Sequence, residues 1–251
     1  MNKRIFRVAV FLLSMILLLS SCGKPPKMDV ENGSYTNTKS GVTYVRAPMN
    51  YEAVSFIKSR PVARVAQDKL ADIVLYEIEG TASDKMLATD NYELFYAKGS
   101  FLPTLWEMSP TKVLLSQTGT ISFATTTIED ANDIAALVAL YQGGAAFPES
   151  EIVGLTPERY DLKFSSAAYP AFYYTLTYRR YTQDVLVYVT VEDESSFVSP
   201  YPGIEMTMEE DDGELCAVYN FGKEILYDRA TGNCYAVGDI VSKHLDNETE
   251  D

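Results

Sequence analysis

The sequence predicts an α+β domain, mostly antiparallel β-sheet, with one well-defined amphipathic helix at about 128–142 packed on the sheet. Two observations lead to this prediction. Short apolar and aromatic segments, several of them with two-residue periodicity, recur along the chain and are typical of strands. Few helical segments lie between them, so neighbouring strands are expected to pair in antiparallel fashion.

The predicted strands lie at 73–79, 113–115, 121–127, 172–178 and 185–191. The last two alternate along their length, and the six residues between them suit a hairpin connection. We therefore expect these two strands to pair, with one face packed and the other wet or aromatic. Shorter helices are predicted around 83–89 and 157–160.

The helix at 128–142 has the clearest pattern in the chain. Thr126 and Glu129 are spaced for a capping box at its start, and Gly143-Gly144 supplies a left-handed stop. One apolar stripe follows the helical repeat and is expected to be buried: Ile134, Leu137, Val138 and Tyr141.

The cysteines at 216 and 234 are predicted to be free thiols. The segments 215–220, 224–228 and 234–237 suggest three consecutive strands, with a turn at Gly222. In such a meander Cys216 and Cys234 lie on either side of the middle strand near Tyr227, about 9.6 Å apart, since neighbouring strands are separated by about 4.8 Å. A disulfide requires Cα atoms within about 7 Å.

The first residues of the chain indicate its destination. Basic residues lie in the first seven positions, and a twelve-residue apolar stretch, interrupted by Ser14, follows at 8–19. Such a helix is about 18 Å long, too short for a hydrocarbon core of about 30 Å, so the segment is typical of a signal peptide.

The closing tetrapeptide, Leu19-Ser20-Ser21-Cys22, resembles the lipobox of bacterial lipoproteins. The resemblance covers residues 1–22 only. It implies cleavage before Cys22 and attachment of acyl chains, such as palmitate, at that residue, so the mature chain is expected to be extracytoplasmic and anchored to the membrane.

These features divide the chain into four parts. Residues 1–21 are the signal peptide, and 22–41, poor in aliphatic residues and rich in Pro, Gly, Asn and Ser, are the lipidated Cys22 and a flexible tether. Residues 42–245 show no internal linker and are expected to form a single globular domain. Residues 246–251 are an acidic tail.

Composition excludes several functions. The chain carries 35 acidic and 21 basic residues, a net charge of −14, which repels nucleic-acid phosphates. One His and three Cys are too few for a zinc site built from these residues. We therefore expect no nucleic-acid partner, and no metal site or cofactor is assigned.

No short catalytic motif is convincing. The single His, His244, lies beside the acidic tail and is interpreted as a solvated residue rather than a catalytic base. Two S-x-x-K matches, 55–58 and 109–112, lack the other elements of the penicillin-binding enzymes. The acidic run 209–214 is interpreted as a hairpin turn at Asp212-Gly213, with weak Ca²⁺ binding as the alternative.

Eleven of the 18 tyrosines lie between Tyr160 and Tyr235, and they are interpreted chiefly as sheet packing. An exposed aromatic face that contacts a glycan or a protein partner is the functional alternative. The leading hypothesis is a non-enzymatic binding or envelope-associated lipoprotein. The second is a hydrolase that uses two carboxylates on a glycan or cell-wall polymer.

Overall fold

The computed structural model describes residues 25–66, 71–117, 123–211 and 213–246. Over these ranges the strands form three sheets whose ladders are antiparallel. The prediction of a mainly antiparallel architecture with few helices is confirmed. Cys22 and the signal peptide lie outside the described residues, so their assignment stays a prediction.

Sheet A has seven strands, in the spatial order β1-β2-β3-β8-β7-β6-β5. Their bounds are β1 Met28–Glu31, β2 Ser34–Asn37, β3 Thr43–Arg46, β5 Ile57–Val65, β6 Ile73–Glu77, β7 Met86–Ala88 and β8 Leu94–Ala97. The sheet curls until its two edges meet, where the Arg64 N–H donates to the Pro26 carbonyl at 2.9 Å. Its interior is filled by buried apolar side chains: Met28, Tyr44, Leu75, Leu87 and Phe95.

The first two strands of sheet A correct the expected tether at 22–41. Residues 28–37 form a hairpin within the sheet, and Met28 is 1% exposed at its core. The polar composition of this segment belongs to an edge hairpin with a tight turn, where Gly33 has φ +73°. The helix expected at 83–89 is also wrong, because β7 occupies part of it and pairs with β8.

Sheet B has eight strands, with seven in the order β10-β9-β12-β13-β17-β18-β11 and β4 paired to β13 beside β17. Their bounds are β4 Tyr51–Ala53, β9 Lys112–Gln117, β10 Phe123–Ile128, β11 Ala146–Pro148, β12 Glu158–Ser165, β13 Phe172–Arg180, β17 Glu224–Tyr227 and β18 Asn233–Ala236. Strand β12 replaces the helix expected at 157–160. It pairs with both β9 and β13 along its length.

Sheet C contains β14 (Leu186–Thr190), β15 (Glu205–Asp211) and β16 (Glu214–Asn220), with β16 in the middle. The hairpin expected between 172–178 and 185–191 is wrong, because β13 belongs to sheet B and β14 pairs with β16. The chain passes from sheet B to sheet C through Tyr181–Val185. The side chains of Tyr181 and Val185 are buried in the apolar cluster between these two sheets.

The predicted meander is half correct. Strands β17 and β18 pair with Tyr227 opposite Cys234, as expected, but β16 lies in sheet C and does not pair with β17. Both Cys216 and Cys234 are buried and free, which confirms the prediction of free thiols. Burial raises the pKa of the Cys234 thiol to about 12.

The predicted helix is present, although its ends differ. It runs as α2 over Ala131–Gly143, after α1 (Leu105–Met108), and a third helix, α3, covers Ser242–Asp246. Asp130 caps α2 by accepting hydrogen bonds from the Asn132 and Asp133 N–H groups at 2.8 and 3.1 Å, so the expected capping box at Thr126 is wrong. Gly144 has φ −72°, so the expected left-handed stop is wrong as well.

The expected stripe of α2 packs on the inner face of sheet B. Ile134 and Leu137 are buried, while Val138 and Tyr141 are half-buried against the same cluster. Phe172, Tyr174, Leu176 and Tyr178 of β13 are buried on that face. Within the described ranges, none of the helices has the length and apolar character needed to cross a bilayer.

Candidate functional site

The single histidine, which the sequence offered as a catalytic candidate, has a structural role. His244 lies in α3, and its Nε2 is 2.8 Å from Asp133 Oδ2. Lys243 Nζ is 2.6 Å from Oδ1 of the same carboxylate, and its hydrogen bond lowers the pKa of Asp133. The interpretation of His244 as a solvated tail residue is therefore wrong, because it attaches α3 to α2.

Neither S-x-x-K match places its lysine beside its serine on a helix. Lys58 is an exposed residue of β5, and Ser109 is the C-cap of α1, with φ +49°. Lys112 instead pairs with Glu129 at 3.0 Å.

The acidic run 209–214 joins β15 to β16, with Asp211 opposite Glu214 and Gly213 at φ +83°. That geometry agrees with the predicted hairpin turn. Asp212 lies outside the described residues, and the described part of the chain holds no group of three or more His, Cys, Asp or Glu side chains placed to hold a metal ion.

The best candidate site is a cleft of about 200 Å³ between sheets A and B, here called the inter-sheet cleft. Sheet A contributes Arg46 at the end of β3 and Glu93 just before β8, whereas sheet B contributes Glu52 of β4 and Arg229, which follows β17. An isolated antiparallel bridge between Glu52 and Glu93 joins the two sheets at this point. The exposed side chains of Met49 and Tyr92 form its rim.

Both walls of the cleft carry charged side chains of both signs. Arg46 pairs with Glu93 across the sheet A wall. On the sheet B wall, Glu52 Oε2 accepts a hydrogen bond from Lys163 Nζ at 2.6 Å, and its other oxygen lies 4.0 Å from Arg229 Nη1.

Arg229 extends the charge network along sheet B. It also pairs with Asp161 and donates from Nε to Thr177 Oγ1 at 2.9 Å. The charges that line the cleft, two cations (Arg46 and Arg229) and two carboxylates (Glu52 and Glu93), balance one another, although the chain as a whole has a net charge of −14.

A polar floor adjoins the cleft on sheet B. Thr175 and Thr177 of β13 lie on the same face as Lys163 and Asp161, their cross-strand neighbours. Both threonines are buried. The Thr175 hydroxyl has no hydrogen-bond partner among the described residues.

Tyr92 adopts a left-handed backbone conformation, with φ +65°. Such a conformation costs a non-glycine residue about 1–3 kcal/mol and persists only where its surroundings enforce it. Here the Tyr92 N–H donates to the Thr89 carbonyl at 3.1 Å, and the Tyr92 carbonyl accepts from Ala53 N–H at 2.9 Å. The ring packs edge-on against Phe56, with centroids 5.2 Å apart, and remains 46% exposed.

A buried network supports the cleft from behind. The Asp228 carboxylate, 1% exposed, accepts hydrogen bonds from Asn50 Nδ2 at 2.7 Å and from the Tyr141 hydroxyl at 2.8 Å. The Tyr174 hydroxyl lies 2.8 Å from that of Tyr141. Asn50 lies next to Tyr51 of β4 and Asp228 precedes Arg229, so this network holds the chain beside the sheet B wall of the cleft.

The hydrogen bonds determine the charge of this carboxylate. Burial by itself raises the pKa of Asp228, but the hydrogen bonds from Asn50, Thr231, Tyr141 and the Ala230 N–H outweigh burial and lower it. Burial raises the pKa of Tyr174 to about 12. At neutral pH the network is therefore an ionised Asp228 surrounded by neutral donors.

A second depression, of about 450 Å³, lies between α1 and α2. Trp106, 41% exposed, forms one side, and Ala131, Ala135 and Ala139 of α2 form the other. None of the residues that line it is ionisable. This groove offers an apolar contact surface, whereas the inter-sheet cleft also offers charged groups in fixed positions.

The residues of the inter-sheet cleft could not be predicted from the sequence. Arg46, Glu52, Tyr92 and Arg229 are far apart in the chain and belong to no short motif. Their only common feature is that each lies at or beside a strand end, which many surface residues share. Comparison with protein-family models, with curated proteins and with solved structures finds no match.

Proposed function

We propose that the chain is an extracytoplasmic lipoprotein, anchored through Cys22, that binds a ligand or partner of the cell envelope at the inter-sheet cleft without chemically changing it. One observation carries the proposal. The cleft combines fixed, mutually paired charges with the uncovered ring of Tyr92, whose strained backbone is enforced by its neighbours. Strain of this kind clusters at binding and catalytic sites.

Binding is favoured over hydrolysis by the way the carboxylates are engaged. A glycoside hydrolase needs one carboxyl group that holds a proton for the leaving group. Glu52 already accepts a hydrogen bond from Lys163, and Asp161 one from Arg229. These carboxylates serve to hold cationic side chains in place.

A hydrolase remains the second candidate because of one observation. Arg229 lies within ion-pair distance of both Glu52 and Asp161, so two carboxylates share one face of sheet B. A pair of carboxylates flanking a scissile bond is the arrangement of most glycoside hydrolases.

Retention and release distinguish the two functions. The lipidated chain, held in detergent, is incubated with delipidated envelope material from cells that lack it, and both bound protein and newly released reducing sugar ends are measured. We expect retention without release. Tyr92→Gly should reduce retention, whereas Tyr188→Ala, at a tyrosine 49% exposed on sheet C, should not.

Two results would contradict the proposal. Retention that is equal in the parent and in Tyr92→Gly would show that the cleft is not the binding site. Release of reducing ends that Glu52→Gln abolishes would establish the hydrolase instead.

A further inference from the structure

We propose that the inter-sheet cleft binds an uncharged sugar ring, with Tyr92 stacked on the ring and the surrounding ion pairs hydrogen-bonded to its hydroxyl groups. This inference rests on the proposed function, because it names the ligand class of the same cleft. It depends on the charge balance of the cleft, the chemistry of its donors and acceptors, the placement of the ring and the volume available.

The charge balance argues against a charged ligand. An anion attracted by Arg46 and Arg229 would meet the carboxylates of Glu93 and Glu52, which line the same cleft. A cation would meet the two guanidinium groups in the same way. A neutral ligand avoids both repulsions, and it also avoids the repulsion that the chain's net charge of −14 imposes on anions.

The donors and acceptors suit neighbouring hydroxyl groups. A hydroxyl group both donates and accepts, a carboxylate only accepts, and a guanidinium only donates. Where the two charged groups stand side by side, as Glu52 and Arg229 do at 4.0 Å, one hydroxyl can donate to the first and its neighbour can accept from the second. Charge-assisted hydrogen bonds of this kind are the strong ones.

The ring of Tyr92 supplies an apolar face at the rim. It is 46% exposed, and its edge-on contact with Phe56 fixes its orientation. A sugar ring presents C–H groups on its faces and hydroxyls around its edge, so one face can cover the tyrosine while the edge reaches the charges. Because Tyr92 is already held in place, binding loses little side-chain entropy there.

The volume fits one ring. At about 200 Å³ the cleft is smaller than the roughly 300–1,000 Å³ that is typical of ligand pockets, so it suits a ligand of about one ring. The cleft is too small to enclose an extended polymer. It suits a terminal sugar, or one ring of a chain that continues over the exposed Met49.

An array of immobilised oligosaccharides, some neutral and some acidic, tests the ligand class. The probe protein is the full lipidated chain in detergent, as the parent, as Tyr92→Gly and as Tyr188→Ala. Glycine adopts φ +65° without strain, so Tyr92→Gly removes the ring and leaves the backbone conformation favourable. Tyr188→Ala removes an equally exposed ring from sheet C.

We expect the parent to be retained on one or more neutral oligosaccharides, with at least a tenfold loss of affinity in Tyr92→Gly and no change in Tyr188→Ala. Glu93→Gln should also weaken binding, because it removes a carboxylate acceptor. Thermal unfolding of each variant shows whether it is folded.

Three results would overturn the inference: no retention on any neutral oligosaccharide, retention on acidic ones alone, or neutral retention that Tyr92→Gly leaves unchanged. If the array is negative while retention on envelope material still depends on Tyr92, the sugar class is wrong and the proposed function stands. Release of reducing ends from a bound oligosaccharide would instead support sugar binding and contradict the non-enzymatic function.

Discussion

At the scale of single residues, Asp228 shows how a buried charge can be stabilised by neutral donors. Three side chains and one backbone N–H donate to its carboxylate. Removing the charge while keeping the shape therefore leaves several donors with a poorer acceptor, and hydrogen bonds to charged groups contribute about 1.5–3 kcal/mol each. The sequence around position 228 shows only the local part of this role, the donors at 230 and 231, because the other two partners come from 50 and 141.

Asp228→Asn should lower the free energy of unfolding by roughly 2–3 kcal/mol at pH 7. The folded-state pKa of Asp228 is lowered, so its contribution is present above the unfolded value of about 3.9 and is lost as the pH falls through the folded value. The difference between parent and variant should thus shrink below about pH 4. Denaturant titrations over the acid range measure it, with exposed Asp29→Asn as the control.

If the difference between the parent and Asp228→Asn is unchanged from pH 7 to pH 3, the carboxylate is not stabilised as an anion. If Asp29→Asn is as destabilising as Asp228→Asn, the effect belongs to net charge rather than to the network.

At the scale of elements, the sequence predicted the strands better than their partners. Alternation in 185–191 correctly places Val185, Val187 and Val191 on a buried face, because side-chain periodicity is a local property. Pairing is not local: β14 finds β16, about thirty residues downstream, in preference to the adjacent β13. The tether was wrong for a similar reason, since the polar hairpin of β1 and β2 is held by sheet contacts and by the burial of Met28 and Asn37.

Helix α2 was predictable because the spacing of its apolar residues is a local property of the sequence. The contribution of this apolar stripe to the free energy of unfolding can be measured. Leu137 is 0% exposed on sheet B, so Leu137→Ala should cost roughly 2–5 kcal/mol of unfolding free energy. Gln142→Ala, on the exposed face of the same helix, should change it by less than about 0.5 kcal/mol. Equal denaturant midpoints for the two variants would mean that the stripe does not stabilise the domain.

At the scale of the whole molecule, we propose that a lipid anchor at Cys22 precedes a folded domain that binds its ligand at the inter-sheet cleft. Several strands and their buried faces follow from hydrophobic patterning, but the candidate site does not, because Arg46, Glu52, Tyr92 and Arg229 meet only after two sheets are assembled. The lipid anchor differs from the candidate site in this respect. It was inferred from sequence alone, and its residues lie outside those that the structure describes.

Cys22→Ala tests the anchor directly. The variant should incorporate no labelled palmitate and should accumulate as precursor or as released protein, because the sulfur that carries the lipid is gone. Cys216→Ala, at a buried thiol, should label like the parent. Membrane fractionation and labelling that are the same in Cys22→Ala and in the parent would contradict the anchor.

The central claim is that the inter-sheet cleft contacts a partner in the envelope, and site-specific photo-cross-linking in intact cells tests it most directly. A photoreactive phenylalanine analogue is placed at Tyr92 or, as the matched control, at Tyr188. The account predicts a discrete cross-linked adduct from position 92 and none from position 188. Absence of an adduct at 92, or the same adduct from both positions, would contradict it.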